Sequence, residues 1–278
     1  MSSEYIITET KFQHIVLEGT SYEVGKAQGD ILKQDEEVIA AFASSVLDPK
    51  ELGFKDLQEM HEFYKEYCPG VNDEVQGFAE SLGVPAERIF YHGASYRSAG
   101  NCSHMVALAP ITEDGHTYVG RSYESSGADQ RLCTTRVNGK ANHIGFSACL
   151  LGRTDGMNQH GLSVTMSGGF SAGMPWDWPK GKGFDYWILA RALLDNCETV
   201  GEALELLENM PLYFYANFIV ADRLGSAALV EIAGYQRAVR RIDGGVGGQY
   251  LISTNHFTMP ELSCHNTNET TMGHSSTA

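Results

Sequence analysis

Gly100-Asn101-Cys102-Ser103-His104-Met105-Val106-Ala107-Leu108-Ala109 is the stretch at which this sequence changes character. Before it, apolar residues recur at helical spacing, as in Phe54, Leu57, Met60, Tyr64 and Tyr67. After it, the pattern is that of strands. A turn at Glu113-Asp114-Gly115 is followed by the extended Thr117-Tyr118-Val119-Gly120-Arg121. Cys102 therefore opens the first strand of a sheet, at the seam of two differently patterned halves. That position suggests a nucleophile uncovered when the chain is cut between Asn101 and Cys102.

The chemistry fits the residue. A thiol with the ordinary value near 8.5 is little ionised at neutral pH. Cutting the Asn101–Cys102 bond would give Cys102 its own α-amine. Such an amine titrates near 7.7–8.0 and is suited to accept the thiol proton. Nucleophile and base then share one residue. The same thiol could make the cut, by attacking the Asn101 carbonyl and forming a thioester that water opens. The bland reading is a cysteine packed in a core, and spacing alone does not exclude it.

With 278 residues, of which 42% are hydrophobic and 20% charged, the chain can bury a sizeable core. No apolar run approaches the roughly 20 residues that span a bilayer. The start, Met1-Ser2-Ser3-Glu4-Tyr5, has no basic and apolar leader, so a soluble, cytoplasmic protein is expected. A net charge of −15 argues against nucleic acid or anionic membrane as a partner. The six cysteines, Cys68, Cys102, Cys133, Cys149, Cys197 and Cys264, form no CxxC pair, so neither a zinc knuckle nor a disulfide framework is indicated.

Local signals place the elements. An extended stretch covers Phe12-Gln13-His14-Ile15-Val16-Leu17. A helix is predicted from Thr20, with Glu23 completing a capping box, to about Leu47. Further helices are predicted at 54–67, 71–82 and 85–96, the first stopped by Pro69. Strands dominate 102–167, with a tight turn over Asp155–Gly161 bracketed by Gly156 and Gly161. Residues 168–183 read as a loop rich in Gly, Pro and Trp. Helices are predicted near 184–195 and 199–209, the second with the capping box Thr199-Val200-Gly201-Glu202. Strands follow at 213–221, 227–232 and 249–254. This order implies an α+β layered domain, and the hairpin-short connections imply antiparallel sheets.

Several segments together resemble the self-processing cysteine amidases of the N-terminal-nucleophile (Ntn) hydrolase superfamily. The similarity is to the acyl-coenzyme A:isopenicillin N acyltransferase branch, with choloylglycine (bile-salt) hydrolases as relatives. Gly19-Thr20-Ser21-Tyr22-Glu23-Val24-Gly25-Lys26-Ala27-Gln28-Gly29 resembles the glycine-punctuated helix start of that branch's pro-segment. Cys102-Ser103 lies where the family has its nucleophile. Gly120-Arg121-Ser122-Tyr123-Glu124 resembles its Gly-Arg-Asn-x-Asp strand. Asp155-Gly156-Met157-Asn158-Gln159-His160-Gly161-Leu162 resembles its Asp-Gly-Met-Asn-x-x-Gly-Leu turn. Ala216–Asp222 with Leu229-Val230-Glu231 resembles a strand pair, and Ser253-Thr254-Asn255-His256-Phe257 resembles the Thr-Asn-His-Phe signature.

The resemblance implies a four-layer αββα sandwich of antiparallel sheets. It comprises a helical pro-segment, 1–101, retained as a subunit, and a core of 102–278. It implies Cys102 as nucleophile and, through its α-amine, as base. Asn255 would donate its side-chain amide to the oxyanion, worth roughly 3–4 kcal/mol. Arg121 would lie near the thiol and favour thiolate, and Glu124 would take the place of the aspartate that holds the α-ammonium. The chain departs from the pattern at three places. Asn101 stands where the acyltransferase has glycine. Ser167-Gly168-Gly169 stands where the bile-salt hydrolases have a second asparagine. Glu124 is one methylene longer than aspartate. The family continues with a Ser-rich segment and an arginine beyond His274-Ser275-Ser276-Thr277-Ala278, so a C-terminal truncation is expected.

The implied activity is cleavage of a linear, non-peptide amide through an acyl-cysteine, or transfer of that acyl group to an amine. The implied partners are a small-molecule amide or acyl substrate, with acyl-coenzyme A as a candidate donor. No cofactor or metal is implied, and a homo-oligomer is left open. Phe170, Trp176 and Trp178 are candidates to line the substrate pocket from a glycine-rich loop, or to plug the core. Two readings from other classes stand beside this one. Gly169-Phe170-Ser171-Ala172-Gly173 fits a serine nucleophile elbow, but Pro175 and Pro179 argue against the helix that an elbow needs. The other is a non-catalytic binding protein that keeps the fold. His256, Cys264, His265 and His274 match no common zinc spacing, and His256 reads as a hydrogen-bonded neighbour of Asn255.

Overall fold

Phe214–Ala221 (β9) and Ala227–Gly234 (β10) are almost continuously apolar and almost wholly buried. Alternation along a strand sends successive side chains to opposite faces, so a run of this kind is buried on both sides. Phe218, Val220, Val230 and Ile232 join the larger core, against helices. Ile219, Ala221, Ala227 and Leu229 join a second core on the opposite face, with Val106, Leu108, Leu251 and Phe257. The computed structural model describes residues 13–34, 36, 39–40, 49–95, 101–124, 131–148, 151–169, 181–184, 186–245 and 248–266.

Two sheets organise the molecule. One has nine strands. Its order is β1 (Gln13–Gly19), β4 (Arg131–Val137), β5 (His143–Ala148), β7 (Asp155–Asn158), β8 (Ser163–Gly168), β9, β10 and β11 (Gln236–Ile242), with β6 (Gly152–Arg153) paired to β5. The other has three, in the order β12 (Tyr250–Ser253), β2 (Asn101–Ala107) and β3 (Tyr118–Glu124). Helices α5 (Tyr186–Asn196) and α6 (Val200–Asn209) cover the outer face of the large sheet, and the small sheet covers its inner face. The class is α+β, as expected, and the described residues build three layers: helices, large sheet, small sheet. The outer face of the small sheet is exposed at Met105, Tyr118, Tyr250 and Ile252. No helix of the described residues is long and apolar enough to cross a membrane.

The N-terminal part is woven into this body. Thr20 caps α1 (Ser21–Leu32) with the expected capping box. Helix α1 crosses α3 (Val71–Leu82) at backbone contact. A Cβ on Gly25 would stand 1.9 Å from the Glu74 carbonyl oxygen, and one on Gly77 would stand 2.1 Å from that of Tyr22. Only glycine fits either position. Helices α2 (Leu57–Tyr67) and α4 (Ala86–Ser95) flank α3. A buried ion pair ties α3 to the core: Arg191 on α5 donates to both carboxylate oxygens of Glu74 at 3.1 Å. Arg191 also donates to Asp195 at 3.0 and 3.1 Å, and Gln28 of α1 donates to Glu74 at 2.8 Å.

Several expectations are corrected. Helix α1 ends at Leu32, not near Leu47. The Lys33 N–H bonds the Gly29 carbonyl, Lys33 and Gln34 form a turn, and Glu36, Ile39 and Ala40 are helical again beyond it. Helix α2 begins at Leu57 rather than 54, because the Asp56 side chain accepts from Glu59 N–H and caps it there. Residues Asp155–Asn158 form a strand rather than a turn. Gly156 lies against Gly145, where a Cβ on Gly145 would stand 2.1 Å from the Asp155 carbonyl oxygen. The large sheet is not purely antiparallel: β1 runs parallel to β4, through a long crossover that includes the N-terminal helices. Strand β11 was not anticipated. At α6, Glu202 reaches the Glu198 N–H rather than closing a capping box on Thr199.

Candidate active site

The start of β2 sets the site. Antiparallel pairing with β3 puts Asn101 opposite Glu124, Cys102 opposite Tyr123 and His104 opposite Arg121. Residues Cys102, His104, Arg121 and Tyr123 therefore share the face turned toward the large sheet. On the other side of β2, strand β12 ends with Ser253 opposite His104. The chain then leaves the sheet as Thr254-Asn255-His256 and returns to the start of β2. The backbone N–H of Cys102 donates to Asn255 Oδ1 at 2.6 Å, and Asn255 Nδ2 donates to the Gly168 carbonyl at 2.9 Å. An N–H can only donate and a carbonyl can only accept, so these neighbours fix which way the amide faces.

The loop that carries Asn255 is held from below by the large sheet. Asn217 Nδ2 donates to the carbonyls of Thr254 (2.9 Å) and His256 (3.2 Å). Ser167 Oγ donates to the Thr254 carbonyl at 2.5 Å. Glu231, fully buried, accepts from Thr258 N–H and Oγ1, both at 2.7 Å, and from Met259 N–H at 3.0 Å. Ser167, Asn217 and Glu231 lie side by side across β8, β9 and β10, on the face turned to the small sheet. Between two apolar cores this polar row has one evident role, which is to fix the 254–259 segment.

Arg121 is buried, with 5% of its side chain exposed, and is compensated. Its guanidinium donates to Asp155 Oδ2 at 2.6 Å and sits 4.3 Å over the Tyr123 ring. Asp155 Oδ1 accepts from the Phe146 N–H at 3.2 Å, which anchors the carboxylate to β5. Asn158, three residues on, donates to the carbonyls of Leu194 and Cys197 at the end of α5, so it serves the fold rather than the site.

Other thiols offer no comparable setting. Burial pushes Cys68 and Cys197 up to about 12, which keeps them protonated. Cys133 is fully buried between β1 and β5, and Cys264 is exposed on a short 3₁₀ turn. Cys149 lies outside the described residues.

The structure thus joins Cys102 to Asn255 and puts Arg121 on the same face of the small sheet. Asn255 presents its oxygen to the Cys102 nitrogen, a contact the sequence reading did not anticipate. Glu124 is described as backbone only, opposite Asn101. Phe170, Ser171, Trp176, Trp178 and His274 lie outside the described residues. His256 Nδ1 is 2.9 Å from Thr254 Oγ1, a hydrogen-bonded neighbour of Asn255 as read. His265 meets Gln236 instead of Cys264 or His256. Among the described residues no group of three His, Cys, Asp or Glu side chains stands close enough to hold a metal. Asp155, Ser167, Asn217 and Glu231 were not read as site residues. All but Ser167 stood inside motifs already singled out, but their partners are far away in sequence.

Comparison with known proteins shows the family. Residues 111–278 match the family described as acyl-coenzyme A:6-aminopenicillanic acid acyl-transferase. No curated protein matches the chain in sequence. Among solved structures, it is similar to penicillin V acylase from Agrobacterium tumefaciens at 20% identity and TM-score 0.33, over 59% of this chain and 49% of that one. It is also similar to the Caenorhabditis elegans ortholog of N-acylethanolamine-hydrolyzing acid amidase, at 16% identity and TM-score 0.45, over 64% and 86%. A Clostridium perfringens conjugated bile acid hydrolase mutant matches at 15% identity and TM-score 0.31, over 59% and 48%. The matched region therefore spans about half the length of the penicillin V acylase. The family match, which covers more than half of the chain and contains Arg121, Asp155 and Asn255, identifies this protein as a member of the acyl-coenzyme A:6-aminopenicillanic acid acyl-transferase family.

Proposed function

We propose that this chain is the precursor of a cysteine amidase that cuts itself between Asn101 and Cys102. The observation that carries the reading is the 2.6 Å contact from the Cys102 N–H to Asn255 Oδ1. The nitrogen held there is the one that would become the α-amine of the mature enzyme. Attack of Cys102 Sγ on the Asn101 carbonyl would move the acyl group from nitrogen to sulfur. The new amine would stay in the grip of Asn255, and water would release residues 1–101 as an acid. The piece 1–101 would remain bound, through the pairing of β1 with β4 and the Glu74–Arg191 pair.

In the mature enzyme the Cys102 amine would take the thiol proton as Sγ attacks the carbonyl of a linear amide. The amide nitrogen would leave as an amine, carrying that proton. Water or a second amine would then open the acyl-cysteine, and this choice separates hydrolysis from acyl transfer. Asn255 would turn an N–H toward the oxyanion, and Arg121 would supply positive charge on the same face. Glu124 would help to hold the α-ammonium. Phe170, Trp176 and Trp178 would line the acyl pocket.

The test uses N-phenylacetyl-4-nitroanilide with and without hydroxylamine. Release of 4-nitroaniline, with phenylacetyl hydroxamate forming at the expense of phenylacetate, is the expected result. Release that survives Cys102→Ala would overturn the reading.

A further inference from the structure

His104 is the second residue after Cys102 in β2 and points the same way, into the space between the sheets. It is 2% exposed, and burial, reinforced by the charge of Arg121 opposite it, pushes the imidazole down to about 3. The ring is therefore neutral at any working pH. Its two nitrogens are both engaged: Nδ1 lies 2.8 Å from Thr165 Oγ1, and Nε2 lies 3.2 Å from Ser167 Oγ.

The tautomer follows from counting protons. A serine hydroxyl has one, and that of Ser167 goes to the Thr254 carbonyl. Ser167 must then accept from His104, so Nε2 carries the proton. Nδ1 is left as an acceptor, and the Thr165 hydroxyl donates to it. A directed chain results, from Thr165 to His104 to Ser167 to Thr254. Thr254 is followed by Asn255, whose amide spans from the Cys102 N–H to the Gly168 carbonyl. The strand of Cys102, the strand of Gly168 and the loop of Asn255 are thus tied through one imidazole.

We propose that His104 is the positioning residue of this site, its Nε2–H fixing through Ser167 and Thr254 where the Asn255 amide meets Cys102. The proposal rests on the reading of Cys102 as nucleophile. A histidine that merely fills space would be replaced as well by leucine as by glutamine. A positioning histidine would not, because glutamine can place an N–H donor where Nε2 stands and leucine cannot.

The experiment compares wild type, His104→Gln and His104→Leu. Self-cleavage is followed by intact mass, with melting temperatures alongside. The same two substitutions are made in Cys102→Ala protein, where the side-chain amide resonances of Asn255 are followed by NMR. The expected cleavage is about 100-fold slower in His104→Leu, since a small misplacement of a reacting group can cost that much. In His104→Gln it stays within about fivefold of wild type. The Asn255 resonances move in the Leu variant and hold in the Gln variant. The imidazole of Cys102→Ala protein shows the neutral Nε2–H form from pH 5 to 8. Equal rates in both variants, or resonances that respond alike, would overturn the proposal, as would a neutral Nδ1–H tautomer. A wild-type chain that never cuts would instead count against the reading of Cys102. The NMR comparison would still decide the role of His104.

Discussion

Cys102 and Asn255 are 153 residues apart in sequence and 2.6 Å apart in space, joined by the hydrogen bond from a backbone N–H to a side-chain oxygen. The bond singles out one nitrogen in the chain, at the head of β2, and gives it a side-chain partner. Asn255→Ala removes both the acceptor and the amide N–H groups. Self-cleavage is expected to slow by about 100-fold, in the range seen for loss of one oxyanion donor. The accumulation of the 102–278 fragment over time measures it.

Asp155→Asn should reveal how far Arg121 depends on its partner. The pair is largely buried, and removing one member of such a pair leaves an uncompensated charge. A loss of about 3 kcal/mol is expected in urea unfolding of the Cys102→Ala protein. An unchanged midpoint would mean that Arg121 finds other compensation.

Glu74→Gln tests the join between the N-terminal part and the core. Arg191 would lose the bidentate half of its partners but keep Asp195. The expected cost is about 3 kcal/mol, again by urea unfolding. In cut protein the same substitution should let the 1–101 piece separate at a lower urea concentration than in wild type.

Gly25→Ala and Gly77→Ala should each damage the α1–α3 crossing. The added Cβ meets backbone carbonyl oxygen, which has no flexible end to move aside. A loss of at least about 2 kcal/mol is expected for either. Gly139→Ala makes a useful contrast: its Cβ would meet nothing within 4 Å, so its cost comes only from positive φ.

Stability should fall on acidification in two stages. Burial pushes His104 down to about 3 and His143 down to about 4, against an ordinary value of 6.5. Between those values the unfolded chain binds more protons than the folded one. The stabilisation is therefore whole above about pH 6.5 and is lost as pH falls toward 4 and 3, at about 1.4 kcal/mol per pH unit for each histidine. Asp195 acts lower. Burial opposes its ionisation, but Arg191, His143 and Lys140 outweigh that and hold the carboxyl below the usual range. Its share is lost only below about pH 4. Urea midpoints of Cys102→Ala protein between pH 4 and 8 check the sign, and His143→Asn should flatten the upper slope.

What could be read from the sequence was local. Thr20 with Glu23, and Thr199 at its helix start, announce where helices begin, and the alternation around Cys102 announces its strand. The limits lie where a distant surface decides. Helix α1 stops at Leu32 with a turn at Lys33 and Gln34, which no spacing within α1 reveals. Strand β11, Gln236-Arg237-Ala238-Val239-Arg240-Arg241-Ile242, is polar because it lies at the sheet's edge, where charge discourages further pairing, so it lacks the apolar signal of a strand. Gly156 looked like a turn residue, yet its small size serves the close approach of β5 to β7. Within the candidate site, Cys102, Arg121 and Asn255 were singled out through the family resemblance. His104, Ser167, Asn217 and Glu231 were not, since their roles exist only once two sheets face each other.

The central claim is that Cys102 cuts the chain in front of itself. Intact-mass spectrometry of purified wild type beside Cys102→Ala tests it most directly. Two fragments meeting at Asn101/Cys102 are expected in wild type, and one uncut chain in the variant. A wild-type chain that stays whole, or a variant that is cut at the same bond, would contradict it.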